Sequence, residues 1–159
     1  MGLDVVRALL SYEGPARELV ARLKYRNDRA ALGWLADNMA SLLRPPAGVV
    51  VTWMPTTDRR RRRRGFDQAE LLARAVARRW RVPAVGLLHR HGAVAQTGRT
   101  RAERREGFTV ETRRRLTDPA RIVLVDDVVT TGTTLRCGAL SLRSAGAVWI
   151  AGLTAARTP

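Results

Sequence analysis

The stretch Val123 to Leu135 reads VLVDDVVTTGTTL, and its order decides the fold class. With Ile122 before it, the first half is a continuous apolar, β-branched run. Such a run predicts a strand buried on both faces of a parallel sheet, here at about Arg121 to Asp126. Two adjacent acids, Asp126 and Asp127, end the run, and Thr130-Thr131-Gly132-Thr133-Thr134 leads into a helical pattern at about Thr133 to Ser144. In open α/β sheets ligands sit beyond the carboxyl ends of the strands, where these acids are expected to emerge on opposite sides because strand side chains alternate. Carboxylates there accept hydrogen bonds from sugar hydroxyls. The TTGTT turn offers backbone N–H groups at a helix N-terminus, threonine hydroxyls, and a glycine that allows close approach. Together they predict a cradle for a phosphorylated sugar. The competing reading is a plain turn in which Thr133 caps the helix.

Outward from this stretch the chain alternates between strand and helix patterns. Val49 to Trp53 is a second short apolar run, followed by Pro55, and predicts another buried strand. In Gln68 to Trp80, residues Ala69, Leu72, Ala73, Val76, Ala77 and Trp80 recur at helical spacing, an amphipathic helix suited to packing on a sheet. Further helices are expected at about Pro15 to Tyr25 and Arg29 to Leu43, the second stopped by Pro45-Pro46. Short strands are expected at Val5 to Tyr12, Val85 to Leu88, Phe108 to Val110 and Val148 to Leu153. Arg90 to Gly107 has little apolar periodicity, carries Arg99, Arg101, Arg104 and Arg105, and reads as a mobile loop over the site. The expectation is α/β: a mostly parallel central sheet flanked by helices, in a single domain spanning residues 1–159.

Bulk composition agrees with one domain: 159 residues, 45% of them hydrophobic, bury one core. The net charge is +15, and every cation except Lys24 is an arginine. That balance points to an anionic partner, either a phosphorylated metabolite or nucleic acid. Genome base composition is an equal explanation for the arginine bias, though not for its clustering. Cys137 is the only cysteine, which excludes an intrachain disulfide and any multi-cysteine zinc site. No zinc is expected, and a reducing, cytoplasmic setting is the default. Nothing approaches the roughly 18 apolar residues that cross a bilayer, and MGLDVVRALL lacks the basic start and cleavage site of an export signal. No membrane insertion is expected.

The segment VLVDDVVTTGTTL resembles the phosphoribosyl-diphosphate (PRPP) binding motif of type I phosphoribosyltransferases. That resemblance implies that Asp126 and Asp127 bind the ribose hydroxyls, and Thr130, Thr131, Gly132, Thr133 and Thr134 the 5′-phosphate. More widely, Tyr12-Glu13-Gly14, Leu23-Lys24-Tyr25, Arg64-Gly65-Phe66-Asp67-Gln68-Ala69-Glu70-Leu71-Leu72-Ala73, and Gln96-Thr97 followed by Arg101 to Phe108 resemble the ComF competence family. The resemblance implies a diphosphate-receiving loop at Pro55, Thr56, Thr57, Asp58 and Arg59. It also implies Mg²⁺ carried with PRPP near Asp126 and Asp127, and a role in DNA uptake with single-stranded DNA and a competence helicase as partners. A lid or nucleic-acid surface is expected at Arg64, Gln96, Arg101, Arg104 and Arg105.

Departures from those patterns keep other functions open. The cysteine-rich zinc-binding segment of longer relatives is absent, and Asp67 stands where asparagine is usual. Thr130 stands where purine phosphoribosyltransferases of this pattern carry an aspartate able to act as base. No segment reads as a nucleobase-recognition element. An enzyme of this type would displace diphosphate from C1 of PRPP; the alternatives are a metabolic nucleobase phosphoribosyltransferase and a non-catalytic, nucleic-acid-binding regulator. The run Arg59 to Arg64 fits a diphosphate ligand, a nucleic-acid contact or a solvated tract. His89 and His91 share a face if they lie in a strand, suiting a metal or base contact, though a loop or solvent role is the favoured reading. Trp34, Trp53, Trp80 and Cys137 read as packing residues.

Overall fold

The computed structural model describes residues 2–26, 28–57, 62, 65–91, 109–116 and 119–159. Its elements run β1 (Val5–Ser11), α1 (Gly14–Arg26), α2 (Arg29–Ser41), β2 (Val49–Trp53), α3 (Gln68–Trp80), β3 (Leu88–His91), β4 (Thr109–Thr112), β5 (Ala120–Val129), α4 (Thr133–Ser144) and β6 (Ala147–Arg157). Four strands form a parallel sheet in the order β1-β6-β5-β2. The expected α/β architecture is thus what the chain adopts.

Residues of β5 alternate between two cores. Val123 and Val125 face the side covered by α1, α2 and α3, where Leu23, Leu35, Met39, Leu72 and Val76 are wholly buried. Ile122 and Leu124 face α4 and β4, packing with Leu135, Leu142 and Val110. Burying each such side chain contributes about 1.5–3 kcal/mol, so the central strand is pinned from both faces. The α4 side is packed to the limit: a Cβ on Gly138 would lie 2.5 Å from the Met54 sulfur and 3.1 Å from Leu124.

Several boundaries differ from those expected. The strand expected at Val85 to Leu88 is reduced to a parallel bridge between Val51 and Ala84. Pro83 has no N–H to donate, and Gly86 tucks so close to Trp53 that a Cβ would lie 3.1 Å from the indole. Leu88–His91 forms a strand instead, pairing antiparallel with Thr109–Thr112 outside the main sheet. Arg90 and His91, expected to open the loop, therefore belong to a strand; residues 92–108 lie outside the described residues, as does Phe108 of the expected Phe108 to Val110 strand. Strand β5 continues three residues past the expected end at Asp126, to Val129, because β6 runs beside it as far as Arg157. Trp34 is not core: the buried stripe of α2 is Ala31, Leu35, Ala36 and Met39, and Trp34, about 100° round the helix from Leu35, is 48% exposed. Trp53 is buried, and half-buried Trp80 donates its indole N–H to the Ala40 carbonyl at 3.1 Å.

Candidate anion-binding site

Strand β2 stops at Trp53 while β5 continues, and a cleft of about 280 Å³ opens where β2 ends. Its lining joins Asp126, Asp127, Val128 and Thr134 to Met54, Pro55 and Thr56, with Asp67, Gln68 and Ala69 at the start of α3 and Arg90 from β3. Alternation alone sends Asp126 and Asp127 to opposite faces, yet both line this one cleft: β2 ends at Trp53, and beyond it no strand among the described residues pairs with β5 on that edge to separate the two sides. The turn from β2 is anchored by the Met54 N–H, which donates to the Val125 carbonyl at 2.9 Å.

Each acid is held by its own neighbour: the Asp127 N–H donates to Asp126 Oδ1 at 2.9 Å and the Val128 N–H to Asp127 Oδ1 at 2.7 Å. Burial, and then the adjacent Asp127 carboxylate, push Asp126 well above the ordinary carboxylate range; Asp67 adds to the repulsion. A cleft that concentrates carboxylates in this way favours a ligand that arrives with cations.

The threonine turn shapes itself. Gly132 takes φ +75° and is the N-cap of α4 with no side-chain cap, so Thr133 does not cap the helix. The Thr131 and Thr133 hydroxyls lie 2.9 Å apart, and the Thr133 N–H donates to Thr131 Oγ1 at 3.4 Å. Thr134 opens into the cleft, whereas Thr130, Thr131 and Gly132 border an adjoining, more apolar groove with Leu3, Val6, Leu135, Arg136 and Arg157. Thr57 is half-buried and lines neither. Asp58, Arg59, Arg64, Gln96, Arg101, Arg104 and Arg105 lie outside the described residues.

Asp67, seen in the sequence only as a departure from a pattern, is a central member of the site. It is the N-cap of α3 and is 7% exposed. Oδ1 accepts from the Ala69 N–H at 3.0 Å and the Glu70 N–H at 3.5 Å, while Oδ2 accepts from the Thr56 N–H at 2.8 Å. An aspartate just before an amphipathic run is a helix-start signal, so the cap was legible. The bond to Thr56, eleven residues back, was not.

Thr56 and Asp67, with Pro55 and Arg90, also line a second polar cleft, completed by Trp53, Glu70, Arg74, His89 and Arg113. The expected common face of His89 and His91 is present: their rings are 4.4 Å apart, edge to face, and His91 Nε2 lies 3.4 Å from Glu111. Half-buried Cys137 packs against the α4-side core. Among the described residues no group of three or more His, Cys, Asp or Glu side chains is arranged to hold a metal ion. A divalent ion here would take most of its ligands from a bound phosphate and from water, and at most one or two from Asp126 and Asp127. No helix among the described residues is long and apolar enough to cross a membrane.

No protein-family model matches the chain. It is similar to the competence protein ComFC of Bacillus subtilis (strain 168), with 27% identity over 144 residues. That match covers 88% of this chain and 58% of ComFC, so the chain spans little more than half the length of its relative. Among solved structures it resembles the glutamine PRPP amidotransferase of B. subtilis complexed with ADP and GMP, with a TM-score of 0.54, 24% identity, and coverage of 76% of this chain and 25% of that one. It also resembles the adenine phosphoribosyltransferase of Leishmania donovani, with a TM-score of 0.51, 17% identity, and coverage of 91% and 68%. The fold is that of the type I phosphoribosyltransferases, and the chain is ComF-like in sequence, as the motifs implied.

Proposed function

We propose that this chain binds PRPP with Mg²⁺ in the cleft lined by Pro55, Thr56, Asp126, Asp127 and Thr134, with its 5′-phosphate reaching the Thr130–Gly132 groove beside it. The observation that carries this reading is the convergence of Asp126, Asp127 and Thr134 with Pro55 and Thr56 in one cleft, although these groups are far apart in the chain. The threonine turn and the N-terminus of α4 receive the 5′-phosphate through backbone N–H groups and hydroxyls. Asp126 and Asp127 accept the ribose hydroxyls, and the turn after β2 faces the diphosphate. Asp67, Asp126 and Asp127 would repel a bare diphosphate, so the ligand would enter with Mg²⁺, which would offset that charge and could take at most one or two ligands from Asp126 and Asp127. If diphosphate is displaced, positive charge develops on the ribose beside Asp126 and Asp127, which stabilise it electrostatically. Thr130 supplies no base, so the acceptor must attack without a proton acceptor at that position.

Likeness to a competence protein extends the proposal to DNA uptake in the cytoplasm, with single-stranded DNA and a competence helicase as partners. The charge of +15 supports a polyanion partner. Calorimetric titration with PRPP and Mg²⁺ tests the ligand: the native chain binds and the double variant Asp126→Asn/Asp127→Asn does not. Absence of binding by the native chain sinks the reading. For single-stranded DNA, affinity should fall by about 0.7 of a logarithmic unit per decade of salt for each phosphate neutralised. Salt-independent binding, or none, removes that part.

A further inference from the structure

We infer that Asp67 is a positioning residue that holds the turn after β2 in the pose that receives a diphosphate. The inference rests on the PRPP reading and adds to it the residue that controls one half of the ligand.

The chemistry of the contact is restrictive. A carboxylate buried to 7% exposure is costly unless its lone pairs are filled, and here N–H groups fill both oxygens from two directions. The donors belong to different elements, Thr56 in the turn after β2, and Ala69 with Glu70 in the first turn of α3. Only a side chain with two accepting oxygens bridges them. A carboxamide has one accepting oxygen and an NH₂ group, so asparagine fills one side and faces a donor with a donor on the other. Burial raises the Asp67 carboxyl above its ordinary range, and the Thr56, Glu70 and Ala69 N–H groups oppose the rise, with Glu70 adding slight repulsion.

The bond completes the anchoring of the turn. Met54 is tied to Val125 of β5, Pro55 has a locked φ, and Thr56 is tied to Asp67. Three successive residues are thereby fixed between β5 and α3, and all three line the cleft. Asp67 also lines it, but as an anion it repels a diphosphate. Its favourable effect therefore passes through Thr56. The Thr130–Thr134 turn has no such tether among the described bonds and owes its shape to Gly132 and α4. Loss of Asp67 should thus damage recognition of the diphosphate and spare that of the ribose 5-phosphate.

Titration of the native chain, Asp67→Asn and Asp67→Ser with PRPP–Mg²⁺ and separately with ribose 5-phosphate tests this. Serine is a good helix cap, so it keeps α3 while removing the tether. We expect both variants to bind PRPP about tenfold more weakly, the worth of one charge-assisted hydrogen bond, and ribose 5-phosphate within about twofold of native. Equal losses for both ligands, or no loss for either, overturn the inference while leaving the PRPP reading intact. A native chain that binds no PRPP overturns both. Hydrogen exchange of the native chain gives a reading independent of any variant's folding: the Thr56 amide is protected to a degree comparable with Val51 in β2, and rapid exchange at Thr56 overturns the tether.

Discussion

Between Thr130 and Thr134 the described bonds that shape the chain are to its own neighbours, whereas between Met54 and Thr56 it is held by residues far along the sequence. Asp126 and Asp127 accept from the next backbone N–H, and Thr131 meets Thr133. Met54, by contrast, depends on Val125, and Thr56 on Asp67. One wall of the cleft is a local motif and the other a tertiary assembly. They should respond differently to mutation: a local change disturbs one turn, while a change at a tether disturbs whatever the two tethered elements share.

The largest expected effect is on the ligand itself. Asp126→Asn/Asp127→Asn replaces both carboxylates, and loss of two charge-assisted bonds should weaken PRPP binding by about a hundredfold or more in calorimetry. A smaller loss would mean that the local wall is not where the sugar sits. Asp126→Asn alone adds a stability test. The folded-state pKa of Asp126 is raised, so its contribution to stability is fully present below the unfolded value near 3.8 and is lost as pH rises through the raised value. The variant should therefore melt higher than native at neutral pH, with an advantage that disappears toward pH 3.8. An unchanged or lower melting temperature at pH 7 contradicts the charge arrangement.

Gly132→Ala sharpens the comparison. Its φ of +75° disfavours any side chain, although the nearest atom to a Cβ, on Val129, is 3.9 Å away. The cost is therefore conformational, about 1–2 kcal/mol, or a fall of about 2–8 °C in melting temperature. Binding of PRPP and ribose 5-phosphate should fall together, the opposite of the selective loss expected at Asp67. The smallest effect belongs to Thr131→Ala, which removes exposed local bonds worth about 0.5 kcal/mol. A large drop in thermal stability there would show that the threonine turn is not self-contained.

Legibility follows the same division. The strand ending in paired acids, the amphipathic Gln68–Trp80 helix and the helix at Thr133–Ser144 were readable because their periodicity and caps are short-range. The apolar run Val85 to Leu88 does not become the expected strand, because such a run does not reveal which partner it meets. Pro83 and the contact of Gly86 with Trp53 limit pairing with β2, and Leu88–His91 pairs with β4. The exposure of Trp34 is not legible, because an apolar pattern one residue wide of the buried stripe looks the same in sequence.

By itself the sequence determined the α/β class, the order of the elements, and an acid pair followed by a threonine turn, since these rest on residue type and spacing within a dozen positions. Tertiary structure alone decided that β2 ends early enough for Asp126 and Asp127 to share one cleft, and that Asp67 reaches Thr56. Both depend on where separate elements stop and how closely they pack, which is set by the whole core and by no single stretch of chain.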